Sequence, residues 1–298
     1  WKPTKPIRVI VPFPPGGSND IVGRLVASDL SPLLGQQVVI DNRGGAGGII
    51  GSEIAANAQP DGHTLLIASV ALAYKPSIYK SKVRFNPEKS FTPIALIGTG
   101  PSALTVHPKM AAKTTKDLID MAKAKPGVLN YATAGIGSFQ HLSTEMFRLQ
   151  AAVNITHIPF KGGGPAMADV IAGNTQITMG SLLQLVPHIQ SSRLRLLAVG
   201  SAKRNSAFPN TPTVAETVPG YEANNWWGIL APAGVTPAMV RTLEVAVEKV
   251  VKTPEMQKKF DTQGAEVLYM NSVTYGKFIK AETTKWSKVV RDAGIKAE

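Results

Sequence analysis

The sequence predicts an α/β protein folded into two lobes. Short apolar runs alternate with helical patterns along almost the whole chain. The alternation falls into two β-α series, the sign of parallel sheets with helices on their faces. A further strand and three helices follow the second series and read as a return to the first lobe. The 298 residues suffice for two medium domains.

In the first series, residues 7–12 form a buried-type strand. Residues 19–34 form a helix with Ile21, Val22, Leu25, Val26 and Leu30 on one side. A strand at 37–41 leads into "NRGGAGGIIGSEIAANA", a glycine loop with a helix near 49–58, and a strand covers 64–69. Residues 75–92 read as irregular, and two separate apolar runs, "TPIALIG" and "SALTVHP", follow. The second series has helices near 115–124, 138–150, 164–172 and 182–190, with strands "LNYAT", "ITHIPF", "TQITM" and "RLLAVGS". After a Pro- and Thr-rich loop come "WWGILAPAG", helices at 236–252, 254–262 and 273–293, and a short strand near 266–269. Lobe 1 is therefore expected to comprise 1–100 and 225–298, and lobe 2 to comprise 101–224. Two crossing segments, "IALIGTGPSALTV" and "YEANNWWGIL", would form a hinge, with a ligand cleft between the lobes.

Composition narrows the chemistry. The chain is 44% hydrophobic and 17% charged, enough apolar residues for a sizeable core. No apolar run approaches the roughly 18 residues of a membrane span. The start, "WKPTKPIRVIV", lacks the apolar region of a signal peptide. Without cysteine there is no disulfide, thiolate zinc site, Fe–S cluster or thiol nucleophile. A net charge of +12 favours anionic partners. The basic residues are scattered and the aromatics few, which disfavours nucleic acid. The densest basic stretch, from Lys277 to Arg291, interleaves with Ile279, Trp286 and Val290 and reads as an amphipathic helix with a solvated face.

Catalytic motifs are missing: there is no G-x-S-x-G elbow, H-E-x-x-H or P-loop. "GAGGIIG" follows the second strand with the wrong spacing for a dinucleotide fingerprint. His141 and Glu145 sit four apart on a helix, but no third metal ligand accompanies them. Neither a cofactor nor a metal is expected.

What recurs is a strand ending in a small, Gly-rich turn that opens a helix. "VPFPPGGSND" is the first case, "LIASVALA" with Ser69 a second, "YATAGIGSFQHL" a third, "HIPFKGGGPAMADV" a fourth and "ITMGSLLQL" a fifth. Such turns lie after the carboxyl ends of parallel strands, where α/β proteins bind ligands. Their orphan N–H groups and helix dipoles favour an anion. Ser18 reads as an N-cap or a ligand group. Asp20 reads as structural, spaced i,i+4 to Arg24. Phe13 reads equally as core or as an apolar wall beside the ligand, and Lys161 as a contact or a solvated loop lysine. Of Trp226 and Trp227, strand alternation puts one in the core and leaves the other for the cleft.

Taken in order over essentially the whole chain, "KPIRVIVPFPPGGSNDIVGRL", "LNYATAGIGSFQHLSTEMF", "ITHIPFKGGGPAMADVIAGNTQITM", "PTVAE" and "WWGILAPAG" resemble the Bug-type (TctC-like) extracytoplasmic solute receptors of tripartite tricarboxylate transporters. The resemblance implies a two-lobed periplasmic binding protein of the type II-like class. It implies capture of a di-, tri- or aromatic carboxylate and delivery to a membrane permease. It also implies a periplasmic, monomeric protein whose signal peptide has been removed, with no catalysis. A ligand-sensing module for a membrane partner, or an enzyme on the same fold, are the alternatives. The family's pattern places the carboxylate against Phe13, Gly17, Ser18 and Asn19 in the first turn, and Thr133, Gly135, Gly137, Ser138 and His141 in the second. Ser69, Lys161, Gly162 and Ser181 complete the expected ligand set. Gly180 and Ser181 stand where many members carry an acidic residue, which disfavours a ligand bearing an ammonium group.

Overall fold

A computed structural model describes residues 1–79, 82–292 and 294–295 of the chain. It contains two compact units. Unit 1 comprises Trp1–Thr99, Trp226–Lys259 and Glu266–Glu298; unit 2 comprises Gly100–Asn225 and Phe260–Ala265. The short 260–265 stretch, which sequence reading leaves with the first lobe, thus clusters with unit 2.

Unit 1 opens with β1 (Ile7–Val11), α1 (Ser18–Leu34), β2 (Val38–Asn42), α2 (Ile49–Ala56), β3 (Thr64–Ser69) and α3 (Val70–Tyr79). β1 pairs in parallel with both β2 and β3, Ile7 opposite Val38 and Arg8 opposite Thr64. A strand flanked on both sides and covered by helices is mostly apolar: Ile7, Val9, Ile10 and Val11 are buried, while Arg8 between them is half-buried and ion-paired with Asp41 of β2. The next strand, β4 (Phe91–Val106), begins in unit 1 and ends in unit 2.

Unit 2 continues with α4 (Thr115–Ala124), β5 (Asn130–Thr133), α5 (Phe139–Gln150), β6 (Thr156–Pro159), α6 (Gly163–Ala172), β7 (Ile177–Ser181), α7 (Leu182–Gln190) and β8 (Arg195–Val199). β5 pairs in parallel with β6 and β7, while the second part of β4 runs antiparallel to β7 and to β8. Small and branched residues from these strands and helices interdigitate in its core, among them Ala103, Ala132, Ala166, Leu182 and Leu185. α4 is launched by a capping box, Thr114 accepting from the Asp117 amide while Asp117 accepts from that of Thr114.

The chain returns to unit 1 through β9 (Asn224–Pro232), antiparallel to β3, and ends with α8 (Pro237–Val251), α9 (Pro254–Asp261), β10 (Glu266–Asn271) and α10 (Ser272–Asp292). α10 turns Ile279, Trp286 and Val290 inward, as its amphipathic pattern predicts, and its lysines face solvent.

Two local expectations are corrected. The stretch read as irregular from residue 75 begins inside α3, which contains Pro76. Val70 to Lys75 are all buried, so the segment has no polar face and no visible 3.6-residue period. Packing supplies what the pattern lacks: Tyr74 meets Trp286 of α10 edge to face at 5.6 Å, a contact of about 0.5–1.5 kcal/mol beyond its buried area. The runs 92–98 and 102–108 are one strand, β4, which passes through Gly98, Gly100 and Pro101 because each half has its own partner strands.

Candidate functional site

In unit 1, "PFPPGG" turns the chain from β1 into α1. Gly16 takes a left-handed φ of +83°. Gly17, not Ser18, occupies the N-cap position, and no side chain caps the helix. Ser18 is instead the first helical residue, and its hydroxyl accepts a hydrogen bond from the Trp227 indole at 3.3 Å. The cap expected at Ser18 is therefore corrected: the extra glycine moves the cap one residue earlier. Gly17 brings no side-chain acceptor of its own to the start of α1, and a helix N-terminus favours an anion.

The loop around those amides is tied down. Asp20, buried, accepts from the Gly16 amide, the Arg24 guanidinium and the Asn42 amide group at 3.0 Å each. Burial pushes its carboxyl up, but the bonds from Arg24, Gly16 and Asn42 outweigh this and hold it below the usual range. Asp20 is structural, as its sequence spacing suggests. Asn19 is structural at its side-chain nitrogen, which donates to the Ile67 carbonyl of β3 at 3.1 Å. Ser69 ends β3, buried, opposite Trp227. Trp226 and Trp227 are both buried on β9, the Trp226 indole donating to Glu282 and the Trp227 indole to Ser18.

Phe13 is half-buried, and beneath it lies a residue the sequence reading missed. Lys75, on α3, is 1% exposed, with its Nζ 5.2 Å from the Phe13 ring centroid. Burial alone pulls its ammonium down to about 7. A lysine inside the apolar run "VALAYKP" was the available signal.

In unit 2, Ser138 is the N-cap of α5 and accepts from the His141 amide at 3.2 Å. Gly135 and Gly137 both have positive φ, +109° and +66°. The Gly135 amide donates to the Thr133 hydroxyl, and the Gly137 amide donates to His141 Nδ1 at 3.3 Å. That bond assigns the His141 proton to Nε2. His141 stacks on His157 at 4.3 Å, and His157 stacks on Tyr131 at 4.9 Å. His157 also bonds the Thr133 hydroxyl at 2.6 Å. Burial, reinforced by the neighbouring His141, lowers His157 to about 4; burial likewise lowers His141. Both rings are neutral at neutral pH. Glu145 accepts from Tyr131 at 2.6 Å and from Arg148 at 2.8 Å, so the His141–Glu145 pair is part of a hydrogen-bonded support. Among the described residues no cluster of three or more His, Cys, Asp or Glu could hold a metal ion.

The second turn thus engages much of its own donor set. Of the buried polar atoms without partners among the described residues, four stand at the starts of neighbouring helices of this unit. Ser181 Oγ, both polar atoms of the Gln140 side chain and Gln184 Nε2 are buried and lack any hydrogen-bond partner. They stand at the starts of α5 and α7, after β5 and β7. A Cβ on Gly180 would lie 3.0 Å from Gln140 Nε2, and one on Gly163 would lie 2.7 Å from Gln184 Nε2. Glycine at both positions leaves the amides room. Gly162 caps α6 with a φ of +139°, and Lys161 beside it is exposed. Ser181 was expected from sequence; Gln140 and Gln184 were not, since a glutamine in a helix signals nothing until its burial is known.

Unit 1 thus gathers Phe13, Gly17 and Ser18 in one turn, and unit 2 gathers Thr133, Gly135, Gly137, Ser138 and His141 in another. Polar Gly-rich turns that follow parallel strands are where folds of this kind bind ligands. Known proteins agree. The chain aligns over 99% of its length, at 36% identity, with protein BugT of Bordetella pertussis, covering 91% of that protein. It superposes on the periplasmic binding protein BugD with a TM-score of 0.95 at 32% identity, covering 99% and 100% of the two chains. An R. palustris protein solved with adipate gives a TM-score of 0.95 at 33% identity, with 98% of each chain covered. Residues 22–295 match the model of the tripartite tricarboxylate transporter family receptors, and the chain belongs to that family. Its fold is that of the periplasmic binding proteins, and its family is one of transporter receptors.

Proposed function

We propose that this receptor works in the periplasm, captures a small di-, tri- or aromatic carboxylate without chemical change, and delivers it as a monomer to the permease of a tripartite tricarboxylate transporter. The observation that carries the ligand class is the set of buried, unpartnered donors Gln140, Ser181 and Gln184. Native interiors pair nearly all such groups, so an unfilled set at helix starts calls for a polar ligand. Amide and hydroxyl donors, with the first-turn amides of α1, suit a carboxylate oxygen. The adipate held by a relative at 33% identity supports the dicarboxylate choice.

Calorimetry and thermal shift with acetate, adipate, citrate and terephthalate test the reading. The expected result is submillimolar binding of at least one di-, tri- or aromatic acid, with the acid recovered unchanged. No binding of any of them overturns it. Closure about a hinge, expected from the sequence, belongs to the same proposal; small-angle scattering should show a smaller radius of gyration with ligand. Periplasmic fractionation of the full-length precursor and co-purification with the permease test location and partner.

A further inference from the structure

Lys75 lacks the partner that a buried ammonium requires. Lysine is almost never fully buried without a counter-charge, and an unpaired buried charge is costly. Lys75 is 1% exposed, and among the described residues no carboxylate pairs with it. The face of Phe13 lies beside its ammonium, at 5.2 Å from the ring centroid. A cation–π contact attracts an ammonium but does not replace a counter-ion.

Its position gives the imbalance a meaning. A Cβ built on Gly48 would lie 2.7 Å from Lys75 Nζ, 3.0 Å from the Phe13 ring and 3.0 Å from the Pro12 carbonyl oxygen. Ammonium, ring and carbonyl therefore converge on the one position where α2 begins without a side chain. Pro12 and Phe13 follow β1, Gly48 follows β2, and Lys75 rides on the helix that follows β3. The carboxyl ends of three parallel strands thus meet at this charge, and that edge is where such sheets bind ligands. At about 7, the titration point leaves the ammonium charged in a substantial fraction of molecules near neutral pH.

We propose that Lys75 is the charged contact for an acidic group of the ligand in unit 1, and that it makes the receptor prefer an acid over the matching uncharged amide. The inference rests on the carboxylate-receptor reading and deepens it. A bound carboxylate would supply the missing counter-charge, whereas a carboxamide of the same shape would leave the ammonium unpaired.

The test is calorimetry at pH 6.5 with the tightest-binding acid among adipate, citrate and terephthalate, on the wild type and on Lys75→Met. Methionine keeps an unbranched apolar stem and removes the charge. Circular dichroism and melting temperature report folding, and Lys75→Gln provides the same comparison should the methionine variant misfold. The expected result is a loss of affinity of tenfold or more, with a melting temperature equal to or above that of the wild type, and the variant no longer distinguishing acid from amide. A loss below fivefold in a folded variant overturns the role of Lys75 and leaves the carboxylate reading standing. If the wild type binds none of the three acids, the carboxylate reading fails and this inference fails with it.

Discussion

Single residues in the two turns do different kinds of work. Ser138 spends its hydroxyl on capping α5, so Ser138→Ala should cost about 1 kcal/mol in urea denaturation. Ser18→Ala removes no cap but takes the acceptor from the buried Trp227 indole, so it should cost about 1–3 kcal/mol and shift the tryptophan fluorescence, which Ser138→Ala should leave unchanged. Gly17 has an ordinary extended backbone (φ −81°, ψ 164°), and an added Cβ meets only the Pro14 carbonyl, at 3.8 Å. Gly17→Val should therefore keep the fold, within about 1 kcal/mol, while its side chain covers the first-turn amides. Carboxylate affinity should fall at least tenfold; retained affinity would remove this turn from the site. Gln140 has the opposite balance. Gln140→Leu removes an orphaned buried amide, so it should raise stability while weakening the ligand.

At the scale of elements, α5 and its packing set the acid sensitivity. His157, at about 4, and His141 are held neutral by burial. In the unfolded chain both titrate near 6.5, so the unfolded state binds more protons below that pH. The stability they contribute is complete above pH 6.5 and is lost progressively as pH falls toward 4. Burial raises the Glu145 carboxyl, but its bonds from Arg148 and Tyr131 prevail and hold it below 4.5, so its contribution disappears as pH falls through that lower range. Chemical denaturation from pH 7.5 to 4 should show the histidine slope, and His157→Phe should flatten it. β9 offers a second check. Gly228 lies under the Tyr275 ring, and a Cβ there would sit 2.5 Å from its Cζ. Gly228→Ala should destabilise by about 1–3 kcal/mol through overpacking.

At the scale of the whole molecule, a receptor that binds only when folded is stabilised by its ligand. At one hundred times the dissociation constant the gain is about 2.7 kcal/mol. Thermal denaturation with the bound acid should show it, and a variant that loses carboxylate affinity, such as Gln140→Leu, should lose the gain in proportion. The +12 charge is consistent with an anionic ligand, but it is spread over the surface. The buried ammonium is a local feature that net charge does not reveal.

Alternation of apolar runs and helical patterns by itself determined the α/β class, the parallel first series and the places where Gly-rich turns open helices. Those features follow from local rules of side-chain period, turn chemistry and capping, and they are written in neighbouring residues. α3 and the unbroken β4 were not legible, because their stability comes from partners far along the chain: α10 for the first, and β7, β8 and β10 for the second. The candidate site divides the same way. Phe13, Gly17 and Ser138 could be read from the turns that contain them. Only the tertiary structure decided that Ser18 bonds an indole 209 positions away, that Gln140 and Gln184 are buried without partners, and that Lys75 sits beneath Phe13. Burial and hydrogen-bond satisfaction are properties of packing in three dimensions; the lysine set in an apolar run left a local trace of its burial, but Gln140, Gln184 and the Ser18–Trp227 bond left none.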